Sequence, residues 1–172
     1  MPFLTGGTSD WPDAGLPGIK INPDSLVPQI VNEDVVAAAL EASTDPGDLI
    51  FVRLVEGHPA EAAELLAEAR YSDPSSLRLR IFEADVLRVS HRADRAVELF
   101  RQLLAETRGT PDEADIRQLL GRSYYTSGNI AAAVQNFAKA LDLRVAGHAD
   151  AAEIYASTVA LQRARDVLDT DS

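Results

Sequence analysis

The sequence predicts an all-α protein, an array of helix-turn-helix hairpins closed by a C-terminal capping helix. Small and bulky residues recur at a long fixed spacing: Ala62 to Ala96 is 34 residues, Leu66 to Phe100 is 34, and Phe100 to Phe137 is 37. Helix start and stop signals punctuate the chain from Asn32 onward at intervals of one helix. No alternating apolar stretch is long enough to predict a sheet. YSDPSSLRLRIF comes closest, and there Pro74 after Asp73 suits a helix start better.

The first 31 residues read as an arm, extended or disordered. Five of the nine prolines and four of the ten glycines fall in the first 28 residues, where no helical or strand period survives. The arm still carries Phe3, Leu4, Trp11, Leu16 and Ile19, more apolar content than a spacer needs. A helix is predicted over residues 32–42, with Asn32 as N-cap and Glu33 and Asp34 in its first turn. STDPGDLIFVRLVEG then offers Asp45 as cap, Pro46 at the first helical position and Gly57 as stop. Three hairpins follow, over 43–76, 77–110 and 114–147, the added spacing before the third lying in the turn RGTPDE. HADAAEIYASTVALQRARDVLD is a single helix over 148–168 with nothing after it to pair with, so it reads as the polar-backed end cap, with 169–172 a tail.

The third hairpin shows why these segments must pack closely. Gly121 lies inside LLGRSYYTSGNIAAAVQNFAKALDL and costs about 1 kcal/mol of helix propensity against alanine. With Gly128 as a left-handed stop, the segment folds back on itself, and the reading places Gly121 opposite Ala133 where the helices cross. Tyr124 and Phe137 flank the crossing, and Ala140 leaves room for the next element.

This pattern resembles the tetratricopeptide repeat, a 34-residue helix-turn-helix with small residues at its eighth and twentieth positions and aromatics at its eleventh and twenty-fourth. Leu120, Gly121, Tyr124, Gly128, Ala133, Phe137 and Ala140 match in the third repeat, and Ala84, Ala96 and Phe100 in the second. The chain departs from the family at the fourth position, which holds Pro46, Arg80 and Arg117, and in the first repeat at Ile50 and Arg53. The resemblance implies a right-handed superhelix whose concave groove, lined by the first helix of each repeat, binds a peptide or partner-protein segment. Its groove positions map to Phe51 and Leu54 in the first repeat, to Arg78, Ile81, Asp85 and Arg88 in the second, and to Gln118, Arg122 and Tyr125 in the third. Arginines and an aromatic over an apolar floor suit a segment with acidic and aliphatic elements, and arginines on an open groove predict little loss of stability when replaced. The lysine, asparagine and arginine clamp of tetratricopeptide cochaperones is missing, since its positions hold Gly47, Phe51, Phe82, Asp115 and Leu119. Small acidic three-repeat proteins with helical ends also resemble bacterial secretion chaperones. A self-assembling scaffold is the remaining alternative, with the Trp11 arm or the C-terminal helix docking into a second copy.

Composition excludes more than it selects. The net charge is −11, with residues 1–70 at −9 (12 acids, 3 bases), 71–108 at +1 (6 and 7) and 109–172 at −3 (9 and 6). An acidic surface repels nucleic acid and anionic membranes, so neither is an expected partner. The chain has no cysteine, hence no disulfide or thiolate site, and no apolar run of membrane-spanning length. With no secretory signature in MPFLTGGTSDWPD, a cytoplasmic location is expected. Fourteen arginines against two lysines is a bias of high-GC bacterial genomes. His58, His91 and His148 stand at helix ends without metal-ligand spacing, and no phosphate-binding glycine loop or nucleophile elbow occurs. No enzyme, metal or cofactor is expected.

Overall fold

The computed structural model describes residues 7–171. Phe3 and Leu4 of the arm lie outside the described residues. The helices are α1 (Glu33–Ala42), α2 (Pro46–Val55), α3 (Pro59–Ser72), α4 (Leu77–Val89), α5 (Ala93–Thr107), α6 (Glu113–Thr126), α7 (Ile130–Ala146) and α8 (Ala151–Asp171). The chain is mostly helical, and from α2 onward each helix packs on the next. The last helix runs three residues beyond the expected end at 168, into the segment read as a tail.

Helix starts follow from side chains that satisfy orphan N–H groups. Asn32 accepts from the Val35 amide at 3.1 Å, Asp45 from Gly47 at 2.8 Å, Ser76 from Leu79 at 3.3 Å and Asn129 from Ala132 at 3.3 Å. The ends of α2, α4 and α6 share one turn. Gly57 (φ 79°), His91 (φ 62°) and Gly128 (φ 91°) are all left-handed. Each is followed by a closing backbone bond of 2.9 Å, from His58 to Arg53, from Arg92 to Leu87 and from Asn129 to Tyr124. These turns repeat at the 34- and 37-residue spacing of the sequence, so the same local geometry recurs at the end of three alternate helices.

Packing explains Gly121. A Cβ there would lie 2.7 Å from Cδ1 of Phe137, so the nearest group at the α6–α7 crossing is the Phe137 ring. Phe137 and Phe100 are fully buried, one in a cluster with Ala133, Ala160 and Ala164, the other with Ala84, Leu103, Ile116 and Leu120. A third cluster joins α2, α3 and α4 through Ile50, Leu54, Ala62, Leu66, Leu79 and Phe82.

The N-terminal arm departs from expectation: over the described residues it is folded. After a short 3₁₀ turn at Thr8–Asp10, β1 (Ile19–Ile21) pairs antiparallel with β2 (Pro28–Ile30), Ile19 opposite Ile30 and Ile21 opposite Pro28. Residues 12–14 run along the other edge of β1, with Ile21 N–H donating to the Pro12 carbonyl at 2.8 Å and Ala14 N–H to Ile19 at 3.2 Å. The connecting loop is an Asx turn in which Asn22 Oδ1 accepts from the Asp24 and Ser25 amides at 2.8 and 3.3 Å. Gly18 (φ 88°) lets this small sheet reach the helices. Its carbonyl accepts from Val31 at 2.8 Å, and a Cβ would sit 2.7 Å from the Asn32 carbonyl. Strands of three residues are too short to stand alone in water, so the helices must hold the hairpin in place. Leu16 and Ile19 do so at one end, in a cluster with Val36 and Val52.

Candidate functional site

One face is shared by α2, α4 and α6. Phe51 from α2, Ile81 and Asp85 from α4, and Gln118, Leu119 and Arg122 from α6 line a common chamber of about 630 Å³. The hairpin forms its roof through Leu16, Ile21 and Pro28. A smaller recess of about 290 Å³ adjoins it, where Val27 and Pro28 face Phe51, Leu54, Asp85 and Arg88. On the other side about 300 Å³ lies among Leu26, Leu119, Arg122, Phe137 and Ala160. The backbones of α2 and α4 run close together, as do those of α6 and α8, whereas α4 and α6 are more widely spaced and a hydrogen bond from Arg122 to Asp85 spans them.

The residues expected to line a groove take several roles. Phe51, Arg78, Ile81, Asp85, Gln118 and Arg122 meet at the main chamber, and Arg88 and Leu54 at the adjoining recess. Leu54 is 5% exposed and belongs to the core between α2 and α4. Arg78 is held by ion pairs to Asp45 and to Asp48 Oδ1 (2.9 Å), with its guanidinium 5.4 Å from the centre of the Phe82 ring. Gln118 accepts from the Ser157 hydroxyl of α8 at 2.7 Å.

Tyr125 is engaged by the hairpin itself. Its hydroxyl donates to the Asp24 carbonyl at 2.7 Å, while Arg163 Nε donates to the same carbonyl and to the Tyr125 oxygen, both at 3.0 Å. Beside this grip, Leu26 is only 2% exposed and packs among Ala133, Phe137, Ala160, Leu161 and Ala164. Its backbone is left-handed (φ 60°), a conformation that costs a leucine about 1–2 kcal/mol and is held by the burial of its side chain. At the far end Tyr155 donates to the Asp10 carbonyl at 2.6 Å.

Of the arginines expected on an open groove, Arg122 is buried and Arg88 largely so, whereas Arg78 stays about half exposed. Arg122 Nη2 donates to Asp85 Oδ1 at 3.1 Å and Arg88 Nε donates to the same oxygen at 3.3 Å, with side chains 11%, 7% and 12% exposed for Arg122, Asp85 and Arg88. Burial, and then repulsion from Arg88, push the Arg122 pKa down to about 10 against the pull of Asp85. Arg144 of α7 also borders the chamber. It donates to the Glu153 carbonyl, Ser157 and Asp115, each at 2.9 Å. Arg144 and Arg163 escape sequence reasoning because they sit on a second helix and on the cap, and only the fold brings them to this face. Among the described residues no group of three His, Asp or Glu could hold a metal, and no helix is long and apolar enough to cross a membrane.

No family model matches the chain, and neither a curated protein nor a solved structure matches it.

Proposed function

We propose that the protein is a non-enzymatic interaction module, a tetratricopeptide-like right-handed superhelical array whose α2, α4 and α6 face binds an extended segment of protein chain, and that its own N-terminal hairpin takes that place in the absence of a partner. The observation that carries this reading is the seating of the Asp24–Leu26 loop beside α6, where the hairpin passes from that face onto α7 and α8. A main-chain carbonyl gripped by Tyr125 and Arg163, next to an aliphatic side chain sunk between α7 and α8, is how a helical array would hold a bound peptide. The hairpin is short and depends on the helices for its fold, so a partner segment with an equivalent aliphatic anchor can compete for its site.

Leu26→Asp is expected to release the loop, because a carboxylate cannot be buried unpaired among Ala133, Phe137 and Ala160. With helical circular dichroism retained, this variant should bind a fluorescent peptide of residues 11–31 saturably, and the unaltered chain should bind it at least about tenfold more weakly. A helical Leu26→Asp protein that ignores the peptide would show that the face does not recognise extended segments.

A further inference from the structure

Between α4 and α6 the cluster of Asp85, Arg88 and Arg122 holds two cations to one carboxylate. Asp85 is the single buried carboxylate between Arg122, which is buried, and Arg88, which is partly buried, and both use its Oδ1. One positive charge is left over. Nε of Arg122 is buried without an acceptor, and both Nη atoms of Arg88 and Nη1 of Arg122, which donate to no described protein group, stay accessible to the space around the cluster. The lowered Arg122 pKa has the direction expected of an incompletely compensated cation.

The neighbouring charges are placed differently. Arg144 is paired with Asp115, although its Nε too is buried without an acceptor, and Arg78 faces two carboxylates, Asp45 and Asp48, at a half-exposed position. Asp112 and Asp115 are exposed at the chamber edge, where water screens them. Leaving a buried charge unpaired is costly, whereas adding one carboxylate would give two arginines facing two carboxylates. The chamber of about 630 Å³ has the size of a small-molecule site, and Phe51, Ile81 and Leu119 give it apolar walls.

We propose that this chamber binds a small organic monocarboxylate, with its carboxylate at the Asp85 end, where the chamber lined by Arg122 meets the recess lined by Arg88, and its apolar body under the hairpin. The excess of one charge selects a monoanion over a phosphate dianion, which would bring a second charge toward Asp85. The apolar walls select an organic body over an inorganic ion. Because Leu16, Ile21 and Pro28 form the roof, ligand in the chamber also holds the hairpin down. The assignment concerns the space beneath the seated hairpin, so it stands whether or not a partner segment can displace the hairpin from the same face.

Calorimetry and thermal melts of the full chain with octanoate, octanamide and inorganic phosphate test it. Octanoate should bind at one site and raise the melting temperature, and the neutral amide and phosphate should bind at least about tenfold more weakly. Arg88→Gln leaves Asp85 and Arg122 paired one to one, so it should melt no lower than the unaltered chain and still lose octanoate affinity about tenfold or more. No octanoate binding up to about 10 mM, equal binding of the amide, or full affinity in Arg88→Gln would each overturn the assignment. So would tighter binding of the tetrapeptide Gly-Gly-Leu-Leu with a free C-terminus, which would give the site to a chain terminus. The comparison of acid with amide on the unaltered chain does not depend on any variant folding.

Discussion

Asp85→Ala is expected to lower folding stability by about 3–5 kcal/mol, the range for removing one partner of a buried ion pair. The substitution leaves Arg122 and Arg88 facing each other with no carboxylate between them, both nearly out of water. Arg88→Gln in the same cluster should be close to neutral or stabilising, since it removes the charge in excess. That asymmetry separates an over-positive cluster from an ordinary surface ion pair, where either loss costs about 0–1 kcal/mol. Denaturant unfolding measures both changes. A loss below about 1 kcal/mol for Asp85→Ala would mean that water reaches the cluster and solvates the two arginines.

Gly121→Leu carries the second large effect. Leucine is the better helix former by roughly 1 kcal/mol, so an exposed position would gain stability. Here the first added carbon already falls 2.7 Å from a ring carbon of Phe137, and that ring is fully buried. The helices must separate or Phe137 must leave its rotamer, which should cost about 1–3 kcal/mol or more net of propensity. Thermal melts decide it. A midpoint equal to or above that of the unaltered chain would show that α6 and α7 do not close on this glycine.

The helices were legible because their signals are local. Asn32 and Asp45 cap within three residues of themselves, and Gly57 and Gly128 turn the chain where they stand; the start read at Pro74 is displaced, since Asp73 ends α3 and α4 begins at Leu77 under Ser76. The approach of Asp85 to Arg122 was legible too, since the two lie 37 residues apart, the spacing of Phe100 and Phe137, and so hold the same position in adjacent hairpins. Their burial was not, and the reason is the arm. Strands of three residues are too short to show a period of two, and β1 reads as Ile-Lys-Ile between glycine and proline turns. The contacts that fold the arm are made at long range: Tyr125 to Asp24 across 101 residues, Arg163 to Asp24 across 139 and Tyr155 to Asp10 across 145. No local pattern encodes such pairs. The arm's surplus of apolar residues was the available signal; of those read from the sequence, Leu16 and Ile19 enter the core among the described residues, and Leu26, which was not singled out, joins them. An arm read as unfolded leaves the arginines of α4 and α6 open to water; a docked hairpin roofs them over. For the same reason replacing Arg88 and Arg122 together should not leave the melt unchanged, as an open groove would predict, because Asp85 would then be buried alone.

Both the segment-binding face and the roofed chamber depend on the hairpin being seated on the helices. Hydrogen exchange of the full chain, resolved by residue, tests this most directly. The amides of Ile21, Leu26 and Val31 donate to carbonyls within the arm, at 2.8 Å each, and are protected only while the arm is folded. The account predicts that they exchange at least about a hundredfold more slowly than an unfolded segment, and that Leu26→Asp abolishes this protection in all three while α4 and α6 keep theirs. Exchange of these amides at the unfolded rate in the unaltered chain, with the helices protected, would show an arm that is not docked and would contradict it.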